Sequence, residues 1–303
     1  MSSPKSVSLS GKGERMTATR LRELMDDDVV FAPGVWDGLS ARLAEQAGFP
    51  ALCASGFAIS AALGLPDAEL YTMSENLDAV RRIIETSDLP VIADIDTGYG
   101  NAVNAARTAR RFAAAGVAAV FMEDQESPKR CPICVGDPVP VISLEEAAGK
   151  IRAVRDAVGD RLVVIARTDT AGEEALGRAE AYAAAGAEMI MPVTKTFAGV
   201  DDWARCRERA GVPLMATLTA STWVERDFTP EVLREVGVRL ALLPTQILLS
   251  ATGAMRETLR RLESGEPPAE VSADALPHHD FVDLIGFADI ERAQEKYLPV
   301  AGA

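Results

Sequence analysis

Short apolar runs alternate along the chain with longer segments in which apolar residues recur at helical spacing. One sequence motif precedes several of the short apolar runs: small residues and then Gly, as in Ala113–Gly116 before Ala118–Phe121. The motif recurs around Gly48, Gly186 and Gly237. A glycine at this place is typical of a helix C-terminus, because it adopts a left-handed backbone without steric cost. The pattern therefore predicts repeated passages from helix to strand.

The apolar runs predict eight strands, and a helical pattern follows each one. The strands are expected at Val29–Phe31, Ala51–Cys53, Val91–Ile95, Ala118–Phe121, Leu162–Ala166, Met189–Met191, Pro213–Ala216 and Arg239–Leu243. The clearest helices are expected at Val103–Ala115, Leu144–Val158, Glu173–Ala185 and Ile247–Glu263. Eight βα units in series favour an α/β fold of the (β/α)8 barrel type, with an open doubly wound sheet as the alternative.

The 303 residues fit one such barrel, which takes about 250 residues, with an addition at each end. We expect a flexible leader over residues 1–15, which contain several serines and glycines, and a barrel over residues 16–265. Residues 266–303 are expected to form a C-terminal helical extension, which includes a helical pattern at Phe281–Tyr297.

The net charge of −14 is spread along the chain without long acidic blocks. This balance disfavours binding to a phosphate backbone, so no nucleic-acid partner is expected. No apolar stretch approaches the roughly 18 residues that a membrane-spanning helix needs, and the N-terminal segment lacks the apolar region of a signal peptide. We therefore expect a cytoplasmic protein without a membrane partner.

Four acidic residues, Asp67, Asp94, Asp96 and Glu123, are expected at the C-terminal ends of strands. Asp94 and Asp96 should share one side of the strand that begins at Val91, because side chains alternate along a strand. Two adjacent carboxylates repel each other unless one is protonated or a cation neutralises both. The cluster indicates a site for a hard divalent cation, with helix caps or a solvated turn as the alternative.

The connection after the fourth strand, residues 124–140, is long, and long ordered loops at this face commonly serve as lids. Lys129 and Arg130 precede Cys131, and we expect their charges to favour the thiolate of this cysteine. We interpret Cys131 as an acid/base residue. The sequence Cys131-Pro-Ile-Cys134 also leaves a zinc site or a reversible disulfide open.

Catalysis by histidine has little support, because the chain has only two histidines and both lie near its C-terminal end. Acid/base chemistry then falls to Cys131, Lys129, Tyr99 or a carboxylate. Arg167 ends the fifth predicted strand. Its guanidinium could bind a substrate carboxylate through two hydrogen bonds or pair with an acidic side chain, and the two roles are compatible.

Seven stretches spread over most of the predicted barrel resemble the isocitrate lyase/phosphoenolpyruvate mutase superfamily, and most closely its methylisocitrate lyase and carboxyphosphonoenolpyruvate mutase branches. They are Ser55–Gly56, Leu63–Asp67, Asp94–Asn101, Ala106–Thr108, Glu123–Gln125, Pro128–Cys131 and Ala166–Asp169. The resemblance implies Mg2+, with Mn2+ as an alternative, bound by Asp94 and Asp96. Asp67 and Glu123 would contribute to the same site directly or through water.

The resemblance also implies a small anionic carboxylic acid as substrate, held by the metal, by the backbone of Ser55–Phe57 and by Arg167. Lys129, Arg167 and Tyr99 join Cys131 as candidate catalytic residues, and Cys131 would protonate an enolate. A C-terminal helix would be exchanged between the subunits of a homodimer or homotetramer.

Several positions depart from the lyases. Pro132–Cys134 stands where the lyases have Gly-His, Val193 where they have Glu, and Leu249 where they have Arg. Thr217 stands where the lyases have an Asn, and we expect it to be a substrate-binding residue. Each lost charge-assisted hydrogen bond removes about 1.5–3 kcal/mol, so a smaller or less charged acid than methylisocitrate is expected.

The leading interpretation is a Mg2+-dependent lyase that cleaves a C–C bond of a small 2-hydroxy or 2-oxo acid through an enolate. One alternative is an enzyme acting on C–P bonds, either a phosphonomutase such as carboxyphosphonoenolpyruvate mutase or a phosphonopyruvate hydrolase. A decarboxylase of oxaloacetate-type acids and a non-catalytic binding protein that keeps the barrel are also left open.

Overall fold

The computed structural model describes residues 17–135, 139–193, 196–197, 199–219 and 229–298. Eight parallel strands pair in sequence order, and the eighth pairs with the first. The strands are β1 Val30–Val35, β2 Leu52–Ala54, β3 Val91–Asp94, β4 Ala119–Glu123, β5 Val163–Thr168, β6 Met189–Pro192, β7 Leu214–Thr217 and β8 Val238–Leu243. The predicted (β/α)8 barrel is confirmed. The alternative prediction of an open doubly wound sheet is wrong, because β1 pairs with β8 and closes the barrel.

Helices occupy the segment before β1, the segments between the strands and the segment after β8. They are α1 Thr17–Asp27, α2 Gly38–Gln46, α3 Gly56–Ala62, α4 Met73–Thr86, α5 Ala102–Ala115, α6 Leu144–Val158, α7 Gly172–Ala184, α8 Val200–Ala210, α9 Pro230–Glu235, α10 Gln246–Glu263, α11 Pro268–Val271, α12 His278–Leu284 and α13 Phe287–Tyr297. Gly116 ends α5 with φ 96°, and its N–H donates to the carbonyl oxygens of Ala113 and Phe112. This cap is the predicted passage from helix to strand.

Two apolar layers surround the strands: one fills the barrel, and the other lies between the barrel and its helices. The inner layer includes Ile92, Phe121, Ile165, Met191 and Met215. Side chains alternate along a strand, so the residues two positions further on extend towards the C-terminal mouth of the barrel. Those residues are Asp94, Glu123, Arg167, Val193 and Thr217.

The chain divides into a compact unit, Met16–Leu248, and a second unit that contains the described residues from Leu249 onward. The helix expected over Phe281–Tyr297 is instead two helices, α12 and α13. Gly286 separates them with φ 81°, which a continuous helix does not accommodate. The domain boundary after residue 265 and the helix exchange between subunits stay predictions. The leader expected over residues 1–15 lies outside the described residues.

Within the described part of the chain, no helix combines the length and the apolar character that crossing a membrane requires.

Candidate active site

The charged residues singled out in the sequence meet at one side of the barrel mouth. Asp94 and Glu123 are the last residues of β3 and β4, and Arg167 is the last but one of β5. Asp67 reaches the same place from the connection after α3, and Lys129 from the loop after β4. We call this group the carboxylate side of the mouth.

Lys129 lies at the centre of the carboxylate side. Its Nζ is 2.6 Å from Asp96 Oδ1, 3.0 Å from Asp67 Oδ1 and 3.8 Å from Glu123 Oε1. Its side chain is only 2% exposed. Burial opposes its charge, but the surrounding carboxylates, with Asp96 first, raise the pKa of Lys129 well above its ordinary value. The loop therefore holds a protonated ammonium group among the acids.

Arg167 binds two acids at once. Its Nη1 is 2.5 Å from Glu123 Oε2, and its Nη2 donates to Asp169 Oδ1 at 2.7 Å. Burial would disfavour the guanidinium charge, but Asp169 and Glu123 raise the pKa of Arg167. The ion-pair role foreseen for Arg167 is thus present in the structure, and Asp169 joins the site although it was assigned no role from the sequence. The feature of the sequence that could have identified Asp169 is its position two residues after Arg167.

Asp169 is itself fixed by a buried polar network behind β4 and β5. Asp124 Oδ1 accepts the backbone N–H of Asp169 at 3.0 Å, and its Oδ2 accepts the Tyr182 hydroxyl at 2.7 Å. Arg178 Nη1 donates to the same Oδ2 at 3.3 Å and Nη2 donates to the Ile142 carbonyl at 3.0 Å. The network ties the end of the β4 loop to the strand that carries Arg167.

Asp96 reaches the site by a turn rather than by strand alternation. β3 ends at Asp94, and Asp96 has φ 50°, in the left-handed region. Its N–H donates to Asp94 Oδ1 at 3.0 Å. The expectation that both carboxylates share one face of a strand is therefore wrong, because the strand stops between them. They approach each other because the Asp94 side chain holds the turn.

A buried amide supports this turn. Asn76 Nδ2 donates to the Asp94 carbonyl and to the Tyr99 hydroxyl oxygen, both at 2.8 Å. Tyr99 in turn donates to Asp96 Oδ2 at 2.6 Å. The sequence analysis did not identify Asn76. This residue lies on the apolar face of α4, between the buried residues Met73 and Leu77. A polar residue at such a position is the signal that could have identified it.

Burial lifts the pKa of Asp94 to about 6, with Lys129 opposing the rise. Burial acts the same way on Asp96, but Lys129 and the Tyr99 hydroxyl outweigh it and lower the pKa of Asp96. The pKa values of these two neighbouring acids therefore shift in opposite directions, because their side chains make different contacts.

Cys131 is buried, with 7% of its surface exposed, whereas Cys134 is exposed. Burial, the Asp67 charge and Cys134 raise the pKa of Cys131 to about 12. The expected thiolate is therefore wrong, because Lys129 faces the carboxylates and the thiol lies in a dry, acidic environment. Both cysteines are free thiols, and Cys134 N–H donates to the Cys131 carbonyl at 3.0 Å.

The candidate substrate contacts lie around this cluster. Ser55 Oγ caps α3 by accepting the N–H of Ala58 at 3.4 Å. A Cβ on Gly56 would stand 2.6 Å from Asp94 Oδ2, so this position requires glycine, and Phe57 follows at the start of the helix. Thr217 is buried at the end of β7, and its hydroxyl has no hydrogen-bond partner among the described residues.

The carboxylates of this cluster have the chemistry of ligands for a hard cation. Within the described ranges, no three His, Cys, Asp or Glu side chains already stand in the arrangement of a metal site. Yet Asp67 Oδ1, Asp96 Oδ1 and both oxygens of Glu123 are buried. Lys129 and Arg167 lie within 3.0 Å of three of these oxygens, and Glu123 Oε1 is 3.8 Å from Lys129, beyond hydrogen-bond distance. Buried carboxylate oxygens gathered around cationic groups fit Mg2+ or Mn2+ as ligands.

The model of the phosphoenolpyruvate phosphomutase family matches residues 21–263. The chain is 35% identical to 2-methylisocitrate lyase of Bacillus subtilis (strain 168), over 90% of this chain and 91% of the relative. It is 36% identical to 2,3-dimethylmalate lyase of Eubacterium barkeri, over 93% and 98% of the two chains.

Two solved structures extend the likeness to three dimensions. The phosphoenolpyruvate phosphomutase of Streptomyces platensis subsp. rosaceus superposes with a TM-score of 0.86 at 31% identity, covering 93% of this chain and 99% of the other. A phosphonopyruvate hydrolase in complex with oxalate and Mg++ superposes with a TM-score of 0.83 at 32% identity, with the same coverage. The chain therefore belongs to the isocitrate lyase/phosphoenolpyruvate mutase superfamily, a group of lyases and mutases that act on small carboxylic acids.

Proposed function

We propose that this enzyme is a Mg2+-dependent lyase that cleaves a C–C bond of a small 2-hydroxy or 2-oxo carboxylic acid through an enolate. One observation carries the proposal: the acids that end β3 and β4, Arg167 on β5 and Lys129, from the loop that also carries Cys131, meet on one side of the mouth. The relatives named as lyases of methylisocitrate and dimethylmalate support the reaction class.

Asp94 and Asp96 would hold Mg2+, with Asp67 and Glu123 contributing directly or through water. Bound there, the ion would polarise the oxygens of the substrate and stabilise negative charge that develops on them. Support comes from the buried, closely grouped carboxylate oxygens of this site and from the relative crystallised with oxalate and Mg++. The Lys129 ammonium now balances the acids that this cation would share.

Arg167 and the backbone of Ser55–Phe57 would orient the substrate carboxylate. A guanidinium matches a carboxylate through two parallel hydrogen bonds, and the missing side chain of Gly56 lets its backbone lie close to Asp94. Orientation of this kind removes much of the entropy cost of reaching the transition state. Thr217, with its free hydroxyl, would contact the part of the substrate that leaves.

In the reaction of a 2-hydroxy acid, a base takes the hydroxyl proton and the bond between carbons 2 and 3 breaks. The oxygen forms a carbonyl, and the electron pair of the broken bond passes to the other fragment as an enolate. Cys131 would donate its thiol proton to the enolate carbon. A thiol whose pKa is about 12 carries this proton at neutral pH, as an acid must.

Lys129 and Tyr99 would support the charges without acting as the base. Lys129 stays protonated because its pKa is raised, so it stabilises negative charge. Burial and Asp96 raise the pKa of Tyr99, and its hydroxyl already donates to Asp96. We therefore assign Tyr99 to the positioning of Asp96. A carboxylate of the cluster remains the candidate for the base.

Cleavage of a C–P bond is the second candidate function. The family model is that of a phosphomutase, and one structural neighbour is a phosphonopyruvate hydrolase. The same carboxylate side could hold the pyruvate part of a phosphonate. The buried thiol of Cys131 favours the lyase over a phosphomutase, because the mutase returns the phosphoryl group to the enolate oxygen and needs no proton on carbon, whereas a hydrolase, like the lyase, leaves an enolate that must be protonated.

A panel of 2-hydroxy, 2-oxo and phosphono acids, incubated with the enzyme and Mg2+ and followed by NMR, tests the proposal. The lyase proposal predicts that a small 2-hydroxy acid is split into a 2-oxo acid and a second carboxylic acid. Release of phosphate, or a phosphonate formed from an enol phosphate, would establish the second candidate. Turnover of an oxaloacetate-type acid to carbon dioxide would identify a decarboxylase, and binding without turnover a non-catalytic protein.

A further inference from the structure

Three non-glycine residues among those described have a positive φ, and all three surround the mouth: Glu69 at 52°, Asp96 at 50° and Tyr99 at 58°. A residue with a Cβ avoids this left-handed region unless other contacts compensate. Asp96 and Tyr99 are held there by the contacts of the site. Glu69, in the connection between α3 and α4, has no part in that site, so its conformation requires another explanation.

The Glu69 carboxylate joins two other loops of the mouth. Its Oε1 accepts a hydrogen bond from the Thr97 hydroxyl at 2.6 Å, and its Oε2 accepts one from the Ser127 hydroxyl at 2.7 Å. Both distances are short, as expected for an ionised acceptor. Thr97 directly follows Asp96, and Ser127 lies two residues before Lys129. One side chain thus links the metal-site turn to the loop that covers it.

The two hydrogen bonds lie in different environments. Thr97 is fully buried, whereas Ser127 is exposed. Water competes for the Ser127 bond and is excluded from Thr97. Glu69 is therefore held more firmly at Thr97 than at Ser127.

Lys150, on the helix α6 that follows the loop, is 4% exposed. Burial lowers the pKa of Lys150, and the charge of Glu69 is the largest influence opposing that fall. The Glu69 charge thus also acts on the helix that follows the loop.

We propose that Glu69 is a positioning residue that fastens the loop after β4 over the mouth, and so keeps Lys129 and Cys131 against the carboxylates. Its importance for turnover rests on the function proposed above. The fastening itself does not, because it concerns only the contacts of Glu69 with Thr97 and Ser127. No covalent bond changes, and the hydrogen bond to Ser127 opens and closes with the loop.

The rate at which iodoacetamide alkylates Cys131 in the full chain measures the opening of this loop without any substrate. The experiment uses a Cys134→Ser background and mass spectrometry of the modified peptides. Glu69→Ala keeps the Cβ, so the backbone strain stays while both hydrogen bonds are lost. We expect alkylation about tenfold faster than in the background protein, equivalent to about 1.4 kcal/mol.

Matched variants separate fastening from a general effect. Ser127→Ala should raise the rate by a similar factor, and the double variant should exceed neither single variant, because both remove the same bond. Glu69→Gln keeps the shape and one acceptor oxygen, so it should restore part of the protection. Glu126→Ala removes an exposed carboxylate from the same loop and should leave the rate unchanged.

Cys206, a buried residue of α8, reports on the rest of the barrel in the same samples. An equal rate of Cys131 alkylation in Glu69→Ala and Glu126→Ala would overturn the proposal. So would a parallel increase at Cys206, because the variant would then loosen the whole fold. With a substrate from the panel, Glu69→Ala should lower kcat more than it changes KM. A failed substrate search would contradict the proposed function and leave the alkylation result decisive for Glu69.

Discussion

Two sides of the same barrel mouth are built on different principles. The carboxylate side, at the ends of β3 to β5, packs Asp94, Glu123 and Arg167 with the cation of Lys129 above them. At the ends of β6 and β7, the inward positions hold Val193 and Thr217, both buried and neither charged. We call these two residues the β6–β7 side.

Under the proposed function, the carboxylate side would carry out the reaction and the β6–β7 side would select the substrate. Ionised groups in a dry site interact strongly and need cations to balance them, so the carboxylate side tolerates little change. Under the proposed function, the β6–β7 side would discriminate between substrates by modest free energies, because Val193 and Thr217 offer apolar surface and one hydroxyl. Changes on the carboxylate side should therefore have large effects, and changes on the β6–β7 side small ones.

The largest expected effect is the slow alkylation of Cys131. A thiol with a pKa near 12 is protonated at pH 8, and only the thiolate reacts. We expect its alkylation to be about a thousandfold slower than that of a free thiol with a pKa of about 9, and to rise about tenfold per pH unit towards pH 12. Exposed Cys134 is the internal control. Equal rates at both cysteines would contradict the dry, acidic environment assigned to Cys131.

Cys131→Ser should lower kcat by a hundredfold or more while KM changes little, because general acid catalysis typically contributes 10²–10⁴-fold. Cys134→Ser, three residues away and exposed, is the matched control and should have a mild effect. Steady-state kinetics on a substrate from the panel measures both. Equal losses, together with stoichiometric zinc in metal analysis, would favour a metal site made by the two cysteines.

Lys129→Met should destabilise the metal-free protein by about 3 kcal/mol, because it leaves Asp67, Asp96 and Glu123 without their shared cation. Thermal unfolding in EDTA measures this loss. Mg2+ should then raise the midpoint of the variant more than that of the unmodified protein, since the ion replaces the missing charge. Lys296→Met, at an exposed position, controls for loss of charge alone. A variant as stable as the control in EDTA would contradict the described geometry.

Arg167→Lys keeps the charge but loses the fork that binds Glu123 and Asp169 together. We expect kcat/KM to fall by about thirtyfold, or about 2 kcal/mol. Arg205→Lys provides the control, because its ion pair with Asp202 lies at the surface. If the two substitutions had equal effects, Arg167 would have no special role on the carboxylate side.

Thr217→Val should give the smallest change. The hydroxyl has no partner in the structure, so stability should change by less than about 0.5 kcal/mol. If the substrate bonds to this hydroxyl, KM should rise by up to about tenfold. Calorimetry and kinetics separate the two quantities. A loss of kcat as large as that of Cys131→Ser would erase the distinction between the two sides.

The sequence predicts the barrel well because its signals are local and repeated. Buried parallel strands are short apolar runs, and glycine caps such as Gly116 mark the turns between helix and strand. Phe281–Tyr297 shows the limit of this reasoning, since the helical pattern continues across Gly286 while the backbone does not.

The site could be predicted as a set of residues but not as an arrangement. Strand alternation correctly brings Glu123 and Arg167 to the mouth, whereas Asp96 depends on a left-handed turn that no periodicity encodes. The pKa of Cys131 depends on burial by a folded loop, which neighbouring basic residues in the sequence do not reveal. The link made by Glu69 joins side chains 28 and 58 residues away, so only the folded chain shows it.

Proton exchange at the methyl group of pyruvate in D2O, followed by NMR, tests the central claim most directly. An enolate formed on the carboxylate side and protonated by Cys131 predicts exchange that requires Mg2+, stops on addition of EDTA and is lost in Cys131→Ser. Absence of exchange with Mg2+ present, or exchange that continues unchanged in Cys131→Ser, would contradict the account.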